Sequence, residues 1–187
     1  MRHSILTQPA ETQGLRHDPT TIALHWISAA LVVLLWTIGQ TIDVVPNGPL
    51  RVDYRSLHIT LGVVLGVVLL ARLAWRMTRH AGPPPIVHGA MLLIARTTHW
   101  LLYVLLVLTV GIGLVYLWMR GDVIFNEFRI PAYDPGNRAL MHQVGGWHAL
   151  AANAILIVAG LHAAAGLFHH YVLRDATLQR MLPWGVR

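Results

Sequence analysis

Four stretches of this chain are so long and so poor in charge that they fit only a lipid bilayer. They run from about Thr20 to Ile42, Leu57 to Trp75, Thr97 to Met119 and Trp147 to Leu173. A bilayer core takes about 20 apolar residues of helix. In lipid the backbone must satisfy its own hydrogen bonds, so runs of this length read as helices. Over the 187 residues 55% are hydrophobic and 12% charged, where a soluble domain carries about 25% charged residues. Breakers separate the runs: Pro46, Asn47, Gly48 and Pro49; then Gly82, Pro83, Pro84 and Pro85; then Gly121, Pro131, Pro135 and Gly136. The expected fold is all-α, an integral membrane four-helix bundle forming one domain over residues 1–187. Residues 1–20 are polar, with Glu11 and Asp18, and lack the short apolar core of a cleavable signal, so the first run is expected to stay in the protein.

The chain has no lysine, so its net charge of +6 rests on arginine. A pI near 10.8 suits nucleic acid in a soluble protein. Here the arginines lie between apolar runs and read as orientation signals, with no nucleic-acid partner expected. Arg2, Arg16, Arg72, Arg76, Arg79, Arg96, Arg174, Arg180 and Arg187 fall at the termini and the second loop. Arg51, Arg55, Arg120, Arg129 and Arg138 fall in the first and third loops, with five acids beside them. The excess predicts both termini in the cytoplasm.

Cysteine is absent, which excludes disulfides, thiolate-ligated or covalently attached haem, and iron–sulfur clusters. Histidine is present twelve times and is the main source of metal ligands. Ionisable residues inside a membrane are expensive and point to function. His25 starts the first helix at its inner end, and His58 starts the second at its outer end. His148 and His162 lie fourteen residues apart on the fourth, nearly four turns, on one face and about 21 Å apart along the axis. His148 is thus level with His58, and His162 with His25. Two bis-histidine pairs result, suited to two haem b groups whose irons are low-spin and transfer electrons.

Arg72, fourteen residues after His58, is placed to pair with a haem propionate at the inner level. Gly39, Gly62 and Gly66 leave room for a flat macrocycle, although Gly62 and Gly66 also fit simple small-residue helix packing. His99, at the inner start of the third helix, competes with His162 as a ligand. His169, two turns after His162, is a candidate proton donor or hydrogen-bond partner for a quinone; with His170 it also fits an interfacial anchor pair. His3, His17, His80, His88 and His142 are expected to be solvated.

The runs "TIALHWISAALVVLLW", "SLHITLGVVLGVVLLARLAWR", "HWLLYVLLVLTVGIGLVYLWMRGD" and "GGWHALAANAILIVAGLHAAAGLFHHYVLRDATLQRMLP" resemble the bacterial cytochrome b561 family over residues 17–184. The resemblance implies an inner-membrane protein carrying two haem b groups and exchanging electrons with ubiquinone. It carries the axial ligands onto His25, His58, His148 and His162. It also implies a relation to a compact branch of the family, the superoxide oxidases, which pass electrons from superoxide outside to ubiquinone. On that expectation Arg51, Arg55, Arg138 and His142 steer superoxide to the outer surface, and the quinone is reduced near His169, His99 or Arg72. The same architecture also resembles the cytochrome b subunits that anchor partner dehydrogenases or hydrogenases, or serve a periplasmic redox protein. A non-haem membrane scaffold is the third alternative.

Overall fold

A computed structural model describes residues 16–78 and 83–183; Arg2, His3, Glu11, Arg79, His80, Gly82 and Arg187, read above from sequence, lie outside them. Asp18 caps the first helix, α1 (Pro19–Thr41), by accepting from the Thr21 N–H at 3.0 Å, and Pro19 occupies the first turn, where a missing N–H does no harm. A single 3-10 turn, Ile42–Val44, follows. Helix α2 spans Pro49–Thr78 and α3 spans Gly89–Arg120. Gly121 ends α3 in the left-handed region (φ 67°, ψ 53°), returning its N–H to the Leu117 carbonyl. A two-stranded antiparallel hairpin comes next, β1 (Val123–Ile124) against β2 (Phe128–Arg129). Helix α4 (Arg138–Phe168) is capped by the Asn137 side chain, and a wider π-type turn continues it through His169–Leu173.

All four helices are long and apolar enough to cross a membrane. Three start well before their apolar runs: α2 at Pro49, α3 at Gly89 and α4 at Arg138. Hydropathy marks only the part in hydrocarbon, whereas the helix continues through interfacial polar residues such as Arg51, Asp53 and Arg55. The hairpin in the third loop is also absent from the sequence reading, because strands of two residues leave no periodicity to see.

Packing divides the bundle into two hairpins, α1 with α2 and α3 with α4. Between them lies a thin core of Leu35, Leu65, Leu69, Leu106 and Ile155. Outward-facing Val33, Val67, Leu93, Leu150, Ile157 and Leu161 stay exposed, as expected where lipid is the solvent. Lipid tails give no hydrophobic drive to helix association, so polar contacts between helices add to packing. Trp36 Nε1 of α1 donates to Asn153 Oδ1 of α4 at 2.8 Å, and Thr41 Oγ1 meets Tyr54 Oη at 2.8 Å between α1 and α2.

Each end of the bundle is tied by its loops. At one end Asp122, 8% exposed, lies 3.1 Å from Arg55 of α2 and 3.1 Å from Arg120 of α3. Beside it Ser56, fully buried, accepts from the Phe125 N–H at 2.8 Å and donates to the Val52 carbonyl. At the other end residues 175–183 fold back as a belt. Trp26 Nε1 donates to the Met181 carbonyl at 2.7 Å, the His17 N–H to that of Arg180 at 3.3 Å, and Arg180 to that of Pro84 at 2.6 Å. Replacing Asp122 with alanine would leave two half-buried guanidiniums facing each other. Breaking a fully buried ion pair costs about 3–5 kcal/mol, and partial exposure of both arginines brings the expected loss to about 2 kcal/mol. A lowered midpoint of thermal unfolding in detergent checks this, and an unchanged midpoint contradicts it.

Candidate functional site

Histidines from all four helices gather at two depths. At the level of the Asp122 cluster, the rings of His58 (α2) and His148 (α4) stand 6.2 Å apart between centroids, at 88°. At the level of the belt, His25 (α1) and His162 (α4) also stand 6.2 Å apart, at 73°. A metal–imidazole bond of about 2 Å, plus about 1.1 Å from nitrogen to ring centre, puts two rings on opposite sides of one metal about 6.3 Å apart. Both pairs have that spacing. His99 of α3 lies 5.2 Å from His162, too close for the same arrangement. Among the described residues no group of three or more His, Cys, Asp or Glu could hold a bare ion. Paired histidines therefore suit a metal that brings its remaining ligands with it, as a macrocycle does.

The fit extends beyond the rings. His148 Nδ1 lies 3.1 Å from the Thr109 carbonyl of α3. A carbonyl only accepts, so the proton sits on Nδ1 and Nε2 keeps the lone pair a metal needs. Gly113, one turn beyond Thr109, makes this approach possible, since a Cβ there would stand 2.9 Å from His148 Cε1 and 3.2 Å from Nδ1. On the other hairpin His58 rests against Gly39, whose added Cβ would stand 3.3 Å from His58 Cε1. Its Nδ1 is buried without a hydrogen-bond partner, and the ring lies beside the Leu35 backbone. Backbone contact and glycine are thus one turn apart on both α1 and α3, each cradling a histidine from another helix. Gly39 makes room for an imidazole, not for a macrocycle as expected. A Cβ at Gly66 would meet Val110 at 3.3 Å, which is helix packing, whereas one at Gly62 would meet nothing within 4 Å. The core residues Leu65 and Ile155 lie midway between the two levels, so an apolar layer separates them.

Arg72 stands at the inner level. Its Nε donates to Tyr103 Oη at 2.9 Å, its Nη2 donates to His25 Nδ1 at 3.3 Å, and its guanidinium lies 5.2 Å from the Tyr103 ring centre. His169 is half-buried on the π-type turn, with Nδ1 2.6 Å from Asp175 Oδ2. Burial pushes the Asp175 carboxyl up, but hydrogen bonds from Thr177 and His169 outweigh it and hold the group at about 2. His170 stacks edge-on with Tyr171, and its Nδ1 is buried without a partner.

One further expectation needs correction. His17 is half-buried, not solvated. Burial first and the Arg180 charge second lower its pKa, with Asp18 opposing. At the outer face Arg51 and Arg55 stand in ion pairs. Arg51 pairs with Asp43 at 3.7 Å and donates to the Asp43 carbonyl at 2.9 Å, and Arg55 is held by Asp122. Arg138 and His142 are exposed at that end, as is His88 at the other. Sequence reading missed Thr109, Gly113, Tyr103, Asp122 and Asp175. The glycine in "VGIGLVY" was visible, but nothing along one chain says which face of α3 meets His148.

The model of the prokaryotic cytochrome b561 family matches residues 16–184. The chain belongs to that family. Among its relatives, a probable superoxide oxidase CybB of Yersinia pestis is 30% identical over 87% of this chain and 93% of its own length. Cytochrome b562 of Cereibacter sphaeroides is 30% identical over 91% of this chain and 98% of its own. Cytochrome b561 homolog 2 of Escherichia coli is 29% identical over 89% and 91%. This cytochrome b561 is therefore a bacterial membrane electron-transfer protein, in contact with lipid through its four helices. The family implies haem b as its redox group.

Proposed function

We propose that this cytochrome b561 binds two haem b groups, one between His58 and His148 and one between His25 and His162, and passes electrons from superoxide at the outer face to ubiquinone. The observation that carries the reading is the shared 6.2 Å spacing of two histidine pairs at opposite depths. Both termini lie in the cytoplasm of the cell, and the membrane is the inner one, consistent with the arginine distribution.

When bound, the haems supply one-electron redox chemistry. The residues do the rest. Thr109 and Gly113 hold the His148 ring in the tautomer that leaves Nε2 free. Leu35, Leu65, Leu69, Leu106 and Ile155 exclude water between the two levels. Arg72 only donates, so its bond to His25 Nδ1 requires the proton on Nε2. Metal ligation through Nε2 would need the other tautomer, which would release Arg72 to pair with a propionate. Exposed Arg138 and His142 draw superoxide to the outer surface. His169, His99 and Arg72 mark the inner region where ubiquinone is reduced.

The test is rapid mixing of the oxidised holoprotein in detergent with superoxide and ubiquinone, following the haem bands. Fast reduction followed by reoxidation by ubiquinone is expected. Bands that stay oxidised overturn superoxide as donor. A second reading, an electron-transfer subunit for a partner dehydrogenase, hydrogenase or periplasmic redox protein, draws on Phe128 and Tyr133. These are 65% and 64% exposed on the third loop, a surface that suits a protein partner. Co-purification of a stoichiometric partner and inertness towards superoxide favour it.

A further inference from the structure

We infer that Asp175 is a positioning residue that holds His169 as the proton carrier for the quinone, an inference that rests on the quinone-reducing reading above. The chain takes an unusual path to bring the two together. After Phe168 the helix widens into the π-type turn, a feature often found at functional sites. Arg174 then reverses the backbone in the left-handed region, at φ 55° and ψ 37°, which residues other than glycine seldom adopt. The reversal returns the Asp175 N–H to the His169 carbonyl at 3.1 Å and its carboxylate to His169 Nδ1 at 2.6 Å. The Thr177 N–H fixes the second carboxylate oxygen at 2.8 Å. Strain accepted in order to seat a carboxylate on an imidazole argues for a chemical role.

A carboxylate on Nδ1 fixes that nitrogen as the donor and leaves Nε2 to take up and release protons. His169 lies two turns beyond His162, about 10 Å along the axis, at the end of the span. A quinone takes two electrons and two protons to become a quinol. The haem groups of the proposed function would supply the electrons one at a time. Each proton leaves His169 Nε2 for a quinone oxygen and is replaced from water at the inner surface. The other charged and titratable groups at this end are His162 on α4, His170, Tyr171 and Arg174 on the same turn, and Arg180 on the belt. From the other elements come Arg16, His17 and Asp18 ahead of α1, His25 on α1, Arg72 and Arg76 on α2, and His88, Arg96, His99 and Tyr103 on or just before α3.

The experiment uses the reduced holoprotein in detergent with short-tailed ubiquinone, and follows the haem reoxidation rate against pH. Asp175→Asn is expected to slow reoxidation about tenfold at neutral pH. It should also move the alkaline limb of the profile to lower pH, with haem content and spectrum unchanged. Asp175→Glu should keep the limb where the wild type has it. An Asp175→Asn profile that overlies the wild type overturns the inference. If that variant does not accumulate, His169→Gln decides: the same loss supports the pair as carrier, and a wild-type profile overturns it. Wild-type protein that ubiquinone fails to reoxidise sinks the quinone reading itself, a result distinct from either variant's.

Discussion

Substituting His148 with alanine is expected to halve the haem content of the purified protein, removing the group at the outer level and leaving the one at the inner. His148 and His58 form a pair on α4 and α2, and no other histidine ring is in contact with either among the described residues. His58 alone would hold the group from one side only, which is expected to shift the spectrum and weaken retention. His162→Ala should do the reverse, because His162 is the shared neighbour of His25 and His99. His99→Ala should keep both groups, since the 5.2 Å separation from His162 is too short for two rings across one metal. Haem quantified per protein, together with low-temperature absorption or electron paramagnetic resonance, reads all three variants. Loss of both haems in His148→Ala, with the protein still folded, contradicts the pairing, and so does loss of one haem in His99→Ala.

A methyl group at Gly113 is expected to have nearly as large an effect without touching a ligand. Its Cβ would stand 2.9 Å from His148 Cε1, inside the distance carbon atoms tolerate. The ring must swing off the Thr109 carbonyl, or α3 and α4 must part. Changes in the groups that orient a metal's ligands typically cost about 10–100-fold in affinity, and overpacking adds about 1–3 kcal/mol of instability. Gly113→Ala should therefore lose the outer haem preferentially. Gly111→Ala is the control, because a Cβ there meets nothing within 4 Å. Equal haem retention in the two variants would show that the cradle is not needed.

The four spans, their approximate centres and the depth match of the histidines were legible because lipid imposes simple rules. Every span must be helical, and helical rise converts sequence separation into depth. His148 and His162 could be placed on one face for that reason alone. The long polar beginnings of α2 and α4 were not legible, since a helix leaving the bilayer carries no hydropathy signal. Nor was Asp175, six residues after His169, because an ordinary helix would carry it around the axis away from the imidazole. The π-type turn and the left-handed Arg174 cancel that rotation.

The sequence by itself determined the solvent, the number of crossings, the absence of thiolate ligands and which histidines share a depth. Each follows from composition or from periodicity along one helix. The tertiary structure decided the rest. It separated His25 from His99 by an ångström of ring spacing, and it set Gly113 against His148 and Gly39 against His58. It also set Arg51 against Asp43 and gave Arg55 and Arg120 a shared partner in Asp122. These outcomes depend on how helices rotate about their own axes when they pack. Rotation is fixed by side chains from other segments, which no periodicity within one segment encodes.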